Sequence, residues 1–503
     1  MVGVAGTLLI AGTASDVGKT VVVAGLCRWL ARRGVSVAPF KAQNMSLNSF
    51  VTRAGEEIGR AQAAQALAAG IEPEAAMNPI LLKPGTDTRS QVVVMGKPIG
   101  ESDATTYWRD QASLLDTVVS AYRDLRRRFD VVICEGAGSL AEINLRHTDI
   151  VNMGFARAVD APTVLVGDID RGGVFASFVG SVAVLAPEDQ ALVQGFIVNR
   201  FRGDPALLQP GLDMLRDLTG RSTLGVLPYV HGLAMDAEDA LDETSYRDPA
   251  PPIGSDVLRV AVLRLPRMSN FTDLDAFAAE PGVVVRFVTL PEELADADLA
   301  VVPGTRATVE DLRWLRSRGL DGALRRRAAD GQPVLGICGG YQMLGTEIED
   351  HVESGVGVVA GLNLLPARTH FGAAKILDRP RRELECGSVV EGYEIHHGMV
   401  TRQGGEPFFA DEGCRVGAVV GTVWHGVFEH DGFRRRYLAG VAAQTGRDFL
   451  PAGDTCFAAV RERRLDALGD LVAKNLDLEE VWSLIEGGPR PGQRVLNLLL
   501  TNR

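Results

Sequence analysis

No two of the six cysteines form a C-x-x-C pair; Cys27, Cys134, Cys338, Cys386, Cys414 and Cys456 lie far apart. The eight histidines are scattered, with no zinc-ligand spacing. These absences argue against a zinc module or a disulfide scaffold and for reduced, mostly buried thiols in a reducing compartment. No stretch approaches the roughly 20 apolar residues of a membrane span. The apolar start, Thr7 to Ala11, runs straight into the polar loop Gly12 to Thr20 and does not read as a signal peptide. A cytoplasmic protein is the expectation. Positive charge is not in excess either. The net charge is −12, so the bulk composition points to neither nucleic acid nor an anionic membrane. No internal repeat or low-complexity block occurs. A homo-oligomer is compatible with the sequence but not written in it.

What is present is ordinary globular composition, 46% hydrophobic and 23% charged over 503 residues, enough for two or three domains. Short apolar runs (Thr7–Ala11, Val35–Pro39, Val131–Cys134, Thr163–Val166, Gly195–Val198) alternate with helical patterns such as Lys19–Arg33. That alternation predicts a parallel α/β sheet. The Pro-rich stretch DPAPPIGSD reads as a linker. The expected organisation is a synthetase-like domain over 1–247, a linker over 248–256 and a second α/β domain over 257–454. A helical extension over 455–503 is expected to pack on that second domain.

Residues 12–20 read GTASDVGKT between a strand and a helix, the context of a phosphate-binding loop. Backbone N–H groups and the helix N-terminus favour phosphate. Lys19 can neutralise its charge, and the Thr20 hydroxyl can ligate Mg²⁺. Thr13 stands where the usual loop has its first glycine, a variant resembling dethiobiotin synthetase. Thr13, Asp16, Gly18, Lys19 and Thr20 are therefore the candidate ATP-binding residues. Lys41, at the end of a strand-like run, can reach a phosphate. Glu135, after the run VVIC, is placed for Mg²⁺ at a strand's carboxyl end. Asn199, after GFIV, reads either as an adenine contact, as in the dethiobiotin synthetase group, or as a turn residue.

Residues 333–345 read PVLGICGGYQMLG, a nucleophile elbow with Cys338 as nucleophile. A thiolate there can attack the side-chain amide of glutamine and release ammonia. Gly339 and Gly304 are the candidate oxyanion donors. His425, in GTVWHGVFEH, is the candidate base; His396, His397 and His430 are alternatives.

These segments, with PFKAQNMSLNS (39–49), NPILLKP (78–84), EGAGS (135–139), EINLRHTDIVNMG (142–154), GDIDRGGVF (167–175), NRFRGD (199–204), GYEIHHG (392–398) and HGVFEH (425–430), resemble the cobyric acid synthases over nearly the whole chain. The resemblance implies a dethiobiotin-synthetase-like phosphate-loop domain joined to a triad-type, class I-like glutamine amidotransferase domain. It implies ATP and Mg²⁺ as cofactors. The implied substrate is adenosylcobyrinic acid a,c-diamide, amidated at its b, d, e and g carboxylates, with cobalt arriving only inside the corrinoid. The sister cobyrinic acid a,c-diamide synthases, a cell-wall amidating relative and a partition-type ATPase are the alternatives. Where many triad-type amidotransferases carry a glutamate two residues after the histidine, this chain has Val427. Glu429 and Glu394 are the candidates to orient His425. The polar clusters Gln43, Asn44, Ser46 and Asn48; Asn144, Arg146, Asp149 and Asn152; and Asp168, Asp170 and Arg171 fall at expected strand ends and are the substrate candidates.

Overall fold

The computed structural model describes residues 6–85, 89–103, 111–230, 233 and 250–497. The expected boundary at 247/248, and 498–503 at the end of the extension, lie outside them.

Apolar runs buried on both faces build the first sheet. Its strands lie in the order Ser222–Pro228, Val193–Phe201, Thr163–Asp168, Gly6–Gly12, Val131–Glu135, Val37–Phe40, and every pair is parallel. The strand Gly6–Gly12 is buried throughout and central, so the loop after it opens at the carboxyl edge of the sheet. A smaller sheet, Gln43–Met45, Ile80–Pro84, Arg89–Val94 and Lys97–Asp103, lies beside it in sequence. The second large sheet runs Val283–Val288, Leu258–Leu263, Leu299–Val302, Val334–Ile337, Val419–Thr422, Cys414–Val416, with only the last pair antiparallel. A further four-stranded sheet runs Gly357–Ala360, Glu347–Asp350, Ala367–Asp378, Glu394–Arg402. Linker residues 250–256 pack on this second half: Ser255 donates to Asp448, and Gly282 N–H to the Ala250 carbonyl.

The helical extension departs from expectation. Helices Phe457–Asn475 and Leu478–Gly487 pack chiefly on the first domain; only at its start does the first of them meet the second, where Phe457 joins that domain's core and Arg461 pairs with Glu429. Leu465, Leu468, Val472, Leu484 and Ile485 join one apolar cluster with Leu8, Ile10, Val22 and Leu26. The helix Lys19–Arg32 lies along Phe457–Asn475, and a Cβ at Gly25 would stand 2.6 Å from Val472 Cγ1. Arg28 pairs with Glu462 at 2.7 Å and Asp466 at 2.9 Å, and Arg32 with Asp470 at 2.7 Å. Periodicity shows that such a helix has an apolar face but not which partner covers it; here the covering surface is the back of the phosphate-loop helix.

Candidate active sites

The phosphate loop turns sharply because Gly18 adopts φ +99, and a Cβ there would also collide with the Asn199 amide. Asp16 takes a left-handed φ of 57 and is exposed. Thr13 N–H bonds the Val166 carbonyl at 3.0 Å. Lys19 Nζ folds back over the loop, donating to the carbonyls of Ala14 (2.9 Å) and Gly138 (3.1 Å). Thr20 Oγ1 donates to Glu135 Oε1 at 2.9 Å, and Lys41 Nζ reaches the same oxygen at 3.1 Å. Three residues distant in sequence are thus joined, and the hydroxyl–carboxylate pair supplies the hard oxygen donors Mg²⁺ prefers beside phosphates. Asn199 Nδ2 donates to the Val17 carbonyl at 2.8 Å, so this side chain braces the loop from behind.

A cleft of about 380 Å³ opens beside the loop and is lined by Lys19, Lys41, Gln43, Asn44, Arg146 and Asp149, with Asn152 beside them. Other substrate candidates lie elsewhere. Ser46 and Asn48 bond each other in a buried turn, Ser46 Oγ accepting from Asn48 N–H at 3.0 Å. Asn144 is exposed and does not line the cleft. Asp168, Asp170 and Arg171 lie outside the lining too: Asp168 pairs with Arg200 at 2.9 Å and Arg171 at 3.5 Å, and Asp170 with Arg202 at 2.9 Å. Within the cleft, Arg146 is committed to a two-pronged pair with Asp189 at 2.5 and 2.7 Å. Asp149 accepts from the backbone N–H of Val151, Asn152 and Gly154 and so holds the start of the helix Met153–Val159.

In the second domain Cys338 sits at φ 50, ψ −110 between the strand Val334–Ile337 and the turn of helix Gly339–Leu344. That is backbone strain at a non-glycine residue, the mark of a nucleophile elbow. Gly340 makes it possible, since a Cβ there would lie 1.9 Å from the Val302 carbonyl oxygen. Gly304 faces His425: a Cβ on it would stand 3.0 Å from the ring's Cε1. Gly339 faces Thr305, so the two glycines belong to adjoining segments of one wall.

His425 is buried, and its Nδ1 lies 2.7 Å from Asp273 Oδ2. The other Asp273 oxygen accepts from Gly426 N–H at 2.7 Å, and the Tyr393 ring stacks on the imidazole at 5.1 Å. Burial disfavours the charged ring, but the negative charges of Asp273 and Cys338 and their hydrogen bonds outweigh it and push His425 up to about 10. Both acidic candidates from the sequence are therefore displaced. Glu429 pairs with Arg60 at 3.3 Å and with Arg461, and Glu394 with His396 at 3.2 Å. Val427, at the position of the usual glutamate, is core. Asp273 comes from the short turn Phe271–Leu274, and no fixed spacing ties that turn to the histidine. The alternative histidines are engaged elsewhere: His397 with Gln91 at 3.2 Å, and His430 accepting from Glu391 N–H at 2.9 Å.

The cysteine pocket is small, about 30 Å³, and both halves of the chain wall it. Asn270, Arg306, Gln342 and Lys375 come from the second half, Lys83 and Gln91 from the first. Across this seam Glu57 pairs with Lys83 at 2.7 Å and Lys375 at 2.5 Å, all buried. Burial holds Lys375 down to about 8, against the pull of Glu57.

A phosphate-loop domain and a cysteine–histidine–aspartate domain in one chain define an ATP-dependent glutamine amidotransferase. Residues 8–241 match the CobQ/CobB/MinD/ParA nucleotide binding domain, and residues 259–433 the CobB/CobQ-like glutamine amidotransferase domain. The chain is 63% identical to the cobyric acid synthase of Streptomyces avermitilis, covering 97% of this chain and 98% of that one. It is 57% identical to that of Frankia casuarinae, over 97% and 98%, and 57% identical to that of Mycolicibacterium paratuberculosis, over 96% and 97%. The chain belongs to the cobyric acid synthase family.

Proposed function

We propose that this enzyme amidates the b, d, e and g carboxylates of adenosylcobyrinic acid a,c-diamide, with glutamine as nitrogen donor and ATP as activator. The observation that carries the reading is the Cys338–His425–Asp273 alignment at a pocket whose other wall belongs to the phosphate-loop half. The Cys338 thiolate attacks the glutamine amide carbon. The oxyanion is held by backbone N–H at Gly339 and Gly304. The C–N bond breaks as His425 gives its proton to the departing nitrogen, ammonia leaves, and water hydrolyses the thioester to glutamate. Asp273 fixes the ring's orientation and stabilises its charged form.

In the first domain the loop residues from Thr13 to Thr20 hold the ATP phosphates, with Lys19 and Lys41 offsetting their charge. Thr20 and Glu135 would hold Mg²⁺, which when bound supplies charge neutralisation at the transferring phosphate. The corrinoid carboxylate takes the terminal phosphoryl group, ADP leaves, and ammonia displaces phosphate from the acyl phosphate. Gln43 and Asn44 are best placed of the substrate candidates to meet the corrinoid, since they line the cleft with Lys19 and Lys41. A cytoplasmic setting suits this chemistry, because the thiol of Cys338 must stay reduced.

The test is corrinoid mass after incubation with glutamine and MgATP, for wild type and Cys338→Ala. Four amides with wild type, and four with Cys338→Ala only when ammonium chloride is supplied, are expected. Glutamine hydrolysis with an unchanged corrinoid would overturn the substrate.

A further inference from the structure

Apolar side chains ordinarily hold a short element against the core, and two elements at the phosphate cleft do the reverse. The 3₁₀ turn Ile143–Thr148 (INLRHT) has no buried residue. Polar groups anchor it instead. Arg146 is clamped by Asp189, which is 0% exposed. Thr148 Oγ1 donates to the Leu145 carbonyl at 2.9 Å, and Leu145 N–H to the Glu142 carbonyl at 2.9 Å. Ile143 and Leu145 are left 60% and 38% exposed. The strand Gln43–Met45 shows the same inversion. Asn44 is buried, donating to Gln62 Oε1 at 2.8 Å, while Met45 is 50% exposed.

Met45 and Leu145 both line the cleft of about 380 Å³. Single exposed apolar residues are ordinary on a surface, but two that converge on one cleft from separate elements mark a contact face. Lys19 and Lys41, in the same lining, are only 6% and 3% exposed. The cleft is cationic at its floor and apolar at its mouth.

A corrinoid matches that division. Its ring is a methyl-studded macrocycle, and its carboxylates end flexible arms around the rim. The ring is too large for a cleft of this volume, so one arm enters toward Lys19 and Lys41 while the ring stays at the mouth. Resting on the amidation reading above, we infer that Met45 and Leu145 form an apolar platform that grips the face of the corrin ring, with Ile143 extending the turn's apolar surface. Apolar contact is non-directional. A ring held that way can turn and present the b, d, e and g arms in succession to one phosphate site, which a fixed set of hydrogen bonds to the rim would prevent.

The test is binding and turnover of adenosylcobyrinic acid a,c-diamide by the full chain. Equilibrium dialysis, read by corrinoid absorbance, gives Kd. Corrinoid mass under MgATP and ammonium chloride gives KM, kcat and the population at each amide count. Leu145→Asn and Met45→Gln are each expected to raise Kd and KM about tenfold with kcat near wild type, and to slow all four steps alike. Leu145→Met and Met45→Leu, which keep the apolar surface, should stay within about twofold of wild type. An unchanged Kd in both polar variants overturns the platform alone. So does an intermediate that accumulates at one amide count, because it marks a directional contact. A wild type that neither binds nor amidates the corrinoid overturns the amidation reading and the platform with it. Should Leu145→Asn disturb the turn, seen as a lowered thermal midpoint, Met45→Gln on the separate strand decides by the same measurements.

Discussion

Asp273 Oδ2 lies 2.7 Å from His425 Nδ1 although 152 positions separate them in the chain. In the mechanism proposed above this contact orients the histidine, and Asp273→Asn tests it most directly. Glutamine hydrolysis should fall by about 10³- to 10⁴-fold, because an amide can neither fix the required tautomer nor stabilise the charged ring. Amidation driven by ammonium chloride should be unaffected. Glu394→Gln, assayed alongside, should leave hydrolysis near wild type.

The charge on His425 gives a pH prediction. Its folded pKa, about 10, lies above the ordinary histidine value. Its contribution to stability is therefore complete below about pH 6.5 and is lost as pH rises through about 10. Chemical denaturation of wild type and His425→Gln between pH 6 and 11 should show the two stabilities converging at the alkaline end. A difference that grows with pH would contradict the assignment.

Among the described residues Glu57 is the one acidic partner of two buried ammoniums, Lys83 on its own domain and Lys375 on the other. Glu57→Gln leaves both charges uncompensated and should cost about 3–5 kcal/mol. Urea denaturation followed by tryptophan fluorescence checks this, and so does loss of coupling between glutamine hydrolysis and ATP use.

Lys19→Ala should abolish amidation from either nitrogen source by about 10²-fold or more, since a phosphate-facing charge is removed. Glutamine hydrolysis by Cys338 should persist. Parallel loss of both activities would contradict the division of labour between the halves.

Gly25→Val introduces side-chain atoms where Val472 Cγ1 and the Leu468 carbonyl already stand within 2.7 Å of a Cβ position. Overpacking of this kind costs about 1–3 kcal/mol. A lowered thermal midpoint with unchanged glutamine hydrolysis is expected, because the clash lies on the first domain.

Local chemistry was legible in the sequence wherever one segment carries it. Lys19 and Thr20 sit in a loop whose backbone geometry demands Gly18, and Cys338 in a turn that demands Gly340, so the spacing of each segment was enough to anticipate its turn. Glu135 was legible because a carboxylate ending an apolar run falls at the ligand edge of a parallel sheet. Asp273 was not. It reaches His425 from a 3₁₀ turn on a different segment, and nothing in NFTDLDAF marks one of its acids above the other. Glu429, nearer in sequence, was drawn instead to Arg60 and Arg461. The tail helices failed for a related reason: an apolar stripe names a need for cover, and the choice between two α/β domains was made by shape, at Gly25, and by the Arg28 and Arg32 ion pairs.

Because the helices Phe457–Asn475 and Leu478–Gly487 close the apolar back of the first domain, the amidotransferase is in effect an insertion within that domain. Vectorial synthesis, which ordinarily lets N-terminal domains finish first, leaves this one open until the tail has emerged. By then the inserted domain is already available to fold, so the second active site can be assembled before the first. Dividing the chain at residues 248–256 would hand the tail to the wrong polypeptide, and neither piece would own a closed pair of cores. A gene split that preserved the enzyme would have to give the tail back to the phosphate-loop half.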